Sequence, residues 1–157
     1  MIYPEELMKL AVDKCREGIA FGQSPFGCAI ARGDQILSVA HNTVLSTTDI
    51  TAHAEVNAIR EACREVADIF LERAIVATTC EPCPMCMAAL HWARVESVYY
   101  GATIADADSA GFNELQLPAS EILRQGGSSL KLIAGVLPDE CRELFQVWNA
   151  SPGARSY

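Results

Sequence analysis

Thr51-Ala52-His53-Ala54-Glu55-Val56-Asn57-Ala58-Ile59 and Thr78-Thr79-Cys80-Glu81-Pro82-Cys83-Pro84-Met85-Cys86-Met87-Ala88-Ala89-Leu90 carry the two halves of one cluster. Each half stands where a helix begins. From His53 to Val66 the apolar positions Val56, Ile59, Cys63 and Val66 recur with helical period, and Thr51 sits in a capping position. Residues 73–79 form an apolar run suited to a buried strand. After it Pro84 takes the first position of a helix over 84–94, with Cys83 at its cap. His53, Cys83 and Cys86 together offer one imidazole and two thiolates, a soft set that suits Zn²⁺. Three protein ligands leave a coordination position open. Glu55 adds a free carboxylate able to carry protons.

The spacing restricts where such a cluster can work. Side chains two residues apart on a helix point about 200° apart, so His53 and Glu55 can converge only over the helix end. Cys83 and Cys86 must arrive from the first turn of the second helix. Positive helix ends favour deprotonated thiolates, and the chemistry implied is hydrolytic removal of an amino group from an electron-poor heteroaromatic ring.

Working outward, residues 4–20 place Met8, Ala11, Val12, Cys15 and Ile19 at helical spacing behind Pro4 and two glutamates. Residues 26–31 and 35–40 read as a hairpin turning at Gly33-Asp34, and 41–51 read as a polar loop. Further strands are expected over 98–102 and 130–135, with a closing helix over 138–148. This order predicts an α/β layered domain with parallel neighbours joined by right-handed crossovers. Ligands in such sheets gather at strand carboxyl ends.

At 157 residues the chain fits one domain, 1–157. The acidic start MIYPEELMKL does not read as a signal peptide, and no stretch is long and apolar enough to span a bilayer. Seven cysteines, an odd number, fit a reducing cytoplasm better than a disulfide framework. Cys15, Cys28, Cys63 and Cys141 read as packing residues. A net charge of −8 speaks against nucleic acid as a partner.

His53-Ala54-Glu55 with Pro82-Cys83-Pro84-Met85-Cys86 resembles the zinc-dependent cytidine and deoxycytidylate deaminase superfamily, whose signature is H-x-E…P-C-x-x-C. The resemblance implies a three-layer α/β/α domain with a central mixed five-stranded sheet. It also implies zinc on His53, Cys83 and Cys86, Glu55 as catalytic proton shuttle, and substrate contact by the Ala54 amide. Within that superfamily the chain looks most like bacterial guanine deaminases. The pieces are Pro25-Phe26-Gly27, Asn42, Glu81 to Cys86, His91-Trp92-Ala93-Arg94, Ala110-Gly111-Phe112 and Tyr157.

The likeness implies conversion of guanine to xanthine and ammonia. Asn42 would bond the purine, Phe26 and Trp92 would wall the pocket, and Tyr157 would help close it. Glu114, after Asn113, stands where relatives carry an aspartate and would read the guanine edge, leaving open whether Glu114 or Asn113 does so. A homodimer is implied, with the tail from Phe145 to Tyr157 swapped onto the partner subunit. The competing readings are a deaminase of guanosine or another aminated ring, a cytosine deaminase, a tRNA adenosine deaminase, and a non-catalytic zinc module. In the last, Cys80 would be the fourth ligand of a closed structural site.

Overall fold

The computed structural model describes Met1–Tyr157 throughout. Helix α1 spans Pro4–Ala20 and begins as its sequence dictates: Pro4 opens the first turn, and the Tyr3 N–H donates to the Glu6 carboxylate at 3.1 Å. Strands β1 (Gly27–Arg32) and β2 (Gln35–His41) form an antiparallel hairpin around Gly33, whose φ of +62° is the left-handed conformation that favours glycine. Helix α2 is a single turn, Val44–Thr47, and α3 runs Ala54–Val66. Then come β3 (Ile75–Cys80), α4 (Pro84–Trp92), β4 (Ser97–Ala102), α5 (Ile104–Ser109), α6 (Ala119–Gly126), β5 (Lys131–Ala134) and α7 (Pro138–Asn149).

The five strands lie in the order β2-β1-β3-β4-β5. β1 is antiparallel to both β2 and β3, whereas β3, β4 and β5 are parallel. The sheet is therefore mixed, and parallel pairing holds only for its second half. Two antiparallel steps restore direction, so β2 and β3 point the same way and both deliver their carboxyl ends to one edge. α3, which follows β2 after the single turn of α2, and α4, which follows β3, consequently start side by side.

Strand β1 shows why both faces are covered. Cys28 and Ile30 join one buried cluster while Ala29 and Ala31 join the other, the alternation expected of a strand with no solvent face. Each cluster holds 17 buried residues, so neither layer is a mere cover. α1 and α7 supply the first through Leu7, Met8, Leu144 and Trp148; α3, α4 and α6 supply the second through Ala58, Ala62, Leu90 and Leu123. This is the three-layer α/β/α arrangement.

Several expectations need revision. Residues 41–51 are not wholly loop, since Val44–Thr47 form a helical turn. The N-cap of α3 is His53 rather than Thr51, whose hydroxyl is spent on Asp49 Oδ1 at 2.6 Å. α5 and α6 are additional helices. α5 is announced by a reciprocal cap in which Thr103 and Asp106 satisfy each other's backbone N–H, and α6 ends at Gly127 in the left-handed conformation.

α1 packs so closely on β1 that a Cβ at Gly27 would lie 2.2 Å from the Ala11 carbonyl oxygen, which belongs to a helix and cannot swing aside. Gly27→Ala is expected to lower stability by about 1–3 kcal/mol, read from denaturant melts of the two proteins.

Candidate active site

His53 and Cys83 occupy equivalent places, each the extended residue before the first helical turn, of α3 and α4 respectively. Cys86 lies inside the first turn of α4, and Pro84, the first helical residue, has no N–H to leave unpaired there. The His53 Nδ1 sits 3.6 Å from Cys83 Sγ and 3.5 Å from Cys86 Sγ. Ligands on a tetrahedral zinc at roughly 2.3 Å for sulfur and 2.05 Å for nitrogen would be separated by about 3.6 Å. The three side chains thus stand at the spacing a zinc ion requires, and their ligand atoms all lie within 4.8 Å of one another.

Cys80 does not join them. Its Sγ lies 3.4 Å from the Thr103 carbonyl oxygen, which leaves a three-ligand set and an open fourth position. The local fields already favour a thiolate. Hydrogen bonds with Cys86 and His53, opposed by burial, hold the Cys83 thiol down at about 4, whereas the bond to Cys83 and burial push the Cys86 thiol well above the usual thiol range. Burial works to lower the pKa of His53, but its bond to Cys83 and the charge of Glu55 outweigh burial and raise it.

Glu55, in the first turn of α3, is 6% exposed. Its Oε1 accepts a hydrogen bond from Thr78 Oγ1 on β3 at 2.8 Å. Burial raises its pKa, while His53 and Thr78 pull the other way. A carboxylate so placed exchanges protons more readily than a solvated one. Ala54 is buried beside it, and as the first helical residue its N–H has no acceptor in a preceding turn.

His53, Glu55, Cys80 and Cys83 line a cavity of about 360 Å³ whose other walls include Phe26, Phe112, Asn113, Glu114 and Tyr157. Its size suits a small molecule. Phe26 packs edge-on against Phe112 at 5.0 Å and Phe145 at 5.8 Å, and Phe112 in turn meets Tyr157 at 5.3 Å. Glu114 faces the same space, and burial, reinforced by the charge of Cys83, lifts its carboxyl to about 7. The Asn113 N–H donates to the Tyr157 carbonyl at 2.8 Å, which ties the tail to this wall.

Two expected contacts are not made. Trp92 ends α4, at the opposite end from Cys83, and is 78% exposed in a separate depression with Phe70 and Arg94. A nine-residue helix carries its last side chain away from whatever its first turn binds. Asn42 is fully buried and does not line the cavity. Its Oδ1 accepts from the Val44 N–H at 3.0 Å and its Nδ2 donates to the Tyr157 hydroxyl at 2.7 Å, so it meets the cavity through Tyr157.

The tail reaches the chain's own pocket, with the Tyr157 ring 6.3 Å from that of His53. It begins later than Phe145, because α7 continues to Asn149 and buries Phe145 and Trp148. Two further residues join the site. Thr78 anchors Glu55, and Glu81 uses both carboxylate oxygens to accept the N–H groups of Ile104 and Ala119, at 3.3 and 2.9 Å, holding the starts of α5 and α6 beside the cavity. Nothing local marks Thr78, whose role arises from its place on β3.

Residues 1–102 match the family described as the cytidine and deoxycytidylate deaminase zinc-binding region. The guanine deaminase of Bacillus subtilis is 42% identical over 124 residues, covering 74% of this chain and 80% of that protein. The tRNA-specific adenosine deaminase of Bacillus subtilis is 32% identical over 141 residues, covering 90% of this chain and 85% of its own length. Among solved structures, a guanine deaminase from Nitrosomonas europaea superposes with a TM-score of 0.87 at 25% identity, covering 96% of this chain and 86% of that one.

The geometry separates the two roles assigned to neighbouring cysteines. Purified Cys83→Ser is expected to lose its zinc while Cys80→Ser keeps roughly one ion per chain. Metal analysis by inductively coupled plasma mass spectrometry reads the difference.

Proposed function

Because this chain belongs to the cytidine and deoxycytidylate deaminase zinc-binding family, a family of zinc-dependent hydrolytic aminohydrolases, we propose that it deaminates a free purine, guanine before others, to xanthine and ammonia. One observation carries the choice of ring: besides Glu55, held by Thr78, and Glu81, whose oxygens are taken by backbone N–H groups, a third carboxylate, Glu114, lines the same cavity as His53 and Cys83. Guanine presents two adjacent N–H donors along the edge that bears its 2-amino group, and an ionised carboxylate accepts both. Adenine offers a donor beside an acceptor and would leave one carboxylate oxygen facing a lone pair. The Bacillus subtilis guanine deaminase, at 42% identity, supports this reading.

His53, Cys83 and Cys86 would hold the zinc ion, which when bound supplies the Lewis acidity that makes water a nucleophile near neutral pH. The remaining steps belong to the chain. Thr78 fixes one oxygen of Glu55, leaving Oε2 to take the proton of the water that adds at C2 and pass it to N3. The same carboxylate then moves the remaining proton, from the hydroxyl added at C2, to the amino nitrogen, so that the C2 carbonyl forms as the C–N bond breaks and ammonia leaves. Phe26 and Phe112 supply flat apolar walls for the ring, and the Ala54 N–H faces its polar edge. Tyr157, which lines the cavity and is held by Asn42, would help close it against bulk water.

In the same reading the protein is a single-domain, cytoplasmic homodimer of purine metabolism. Exchange of tails between copies would set Tyr157 in the partner's pocket through the contacts it makes here within one chain. The tRNA-specific relative raises the alternative of an adenosine in an RNA loop. The charge of −8 opposes it, since a phosphate backbone needs a cationic track.

Ammonia release from guanine, guanosine, adenine, cytosine, cytidine and a tRNA anticodon stem tests the proposal. Guanine is expected to turn over fastest, and an inert guanine beside an active alternative would sink it. Glu114→Gln is expected to cut kcat/KM for guanine roughly 100-fold, since one oxygen acceptor becomes an N–H donor. Glu114→Asp should retain most of the activity.

A further inference from the structure

We propose that a second cleft, on the far side of the loop that carries His53, binds a compact polyphosphate anion. The cleft holds about 420 Å³ and lies beside edge strand β2, between α1 and α3. It is lined by Lys14, His41, Thr43, Asn57, Arg60, Glu61 and Arg64, with Ala40 as its one apolar wall. Three cations face one anion there, on a chain whose net charge is −8. A positive recess in a negative surface concentrates the field that draws a small anion in.

The arginines are free for that work. Arg60 and Arg64 stand one turn apart on α3, and neither has a carboxylate oxygen within 4 Å, although Glu61 and Glu65 are near in sequence. Asp49 senses Arg60 only at longer range. Lys14 is the exception, paired with Glu17 at 3.0 Å. Side chains four apart on a helix lie about 6 Å from one another, a separation that suits two guanidinium groups to adjacent phosphoryl groups. A single phosphate would engage one of them well.

Hydrogen bonds within the protein fix the floor and leave one hydroxyl free. Asn57 Nδ2 donates to the carbonyls of His41 and Ala52 and to Thr43 Oγ1, at 3.0, 3.3 and 2.9 Å. Thr43 Oγ1 accepts that bond, and its own hydrogen has no acceptor in the protein. His41 is held against α1 because residue 18 is glycine, where a Cβ would meet the ring carbon at 2.6 Å. Its Nδ1 is occupied by the Asn42 carbonyl at 2.8 Å, which leaves Nε2 on the unbound side of the ring. Two unpaired arginines, a hydroxyl and a lysine shared with Glu17 thus border one recess.

Size and surroundings choose the ligand class. A long nucleic-acid backbone would extend beyond the recess over a chain whose net charge is −8, whereas a compact polyphosphate carries its charge within the cleft. Thr43 and Asn57 belong to the segment that on its other side carries Asn42 and His53, so the floor of this cleft and the wall of the catalytic pocket share backbone.

Isothermal titration of the zinc-loaded protein with inorganic pyrophosphate tests the site. The wild type is expected to bind with a dissociation constant below about 1 mM and more tightly than to orthophosphate. Arg60→Gln/Arg64→Gln, both exposed positions, should weaken binding roughly tenfold or more, and Glu61→Gln should strengthen it. No saturable binding to the wild type would overturn the proposal. So would equal affinity in the double variant, which would place pyrophosphate at the metal or elsewhere, or no gain in Glu61→Gln.

Discussion

Two helices must begin at the same point in space for the rest of this molecule to make sense. His53 precedes α3 and Cys83 precedes α4, and 3.6 Å separates the imidazole nitrogen from that sulfur. The sheet enforces this meeting. Because β1 reverses direction against both β2 and β3, the carboxyl ends of β2 and β3 share an edge, and each loop needs only to deliver one helix start. Small side chains finish the approach. Ala54, Ala58 and Ala62 form the buried stripe of α3, letting that helix lie close to the strands and bringing Glu55 within reach of Thr78.

From this meeting the electrostatics follow. Both helix ends present positive partial charge, Cys83 is already held far below an ordinary thiol, and Cys80 turns away to Thr103, so the set remains open on one side. Glu55 and Glu114 share the cavity under different constraints. Glu55 is buried and anchored by Thr78, which suits proton transfer, whereas Glu114 is more open and its carboxylate accepts no hydrogen bond from the protein, which suits reading a ligand's N–H groups.

Much of this was legible in the chain, for identifiable reasons. The stripe from Met8 to Ile19, the turn at Gly33-Asp34 and the Pro84 helix start are local signals, and the structure agrees with them. α5 and α6 escaped because helices of six and eight residues are specified by their caps more than by periodicity. Trp92 misled because aromatic character says nothing of direction, and at the end of a short helix direction decides. Asn42 was expected to meet the purine, but its side chain bonds Tyr157, a partner 115 residues away in sequence that no local signal announces. Thr78 shows the same limit: only the pairing of β3 with its neighbours puts its hydroxyl under Glu55.

The central claim is that an open zinc site and a buried carboxylate act together, and Glu55→Gln tests it most directly. Glutamine keeps the shape and can still accept the Thr78 hydrogen bond, but it cannot carry a proton. Zinc content and guanine turnover measured on the same preparation should show roughly one ion per chain retained and kcat reduced by about 1000-fold or more. A zinc-loaded variant that keeps guanine turnover within about tenfold of the wild type would contradict the account, because Glu55 would then be no more than an acid at a helix start.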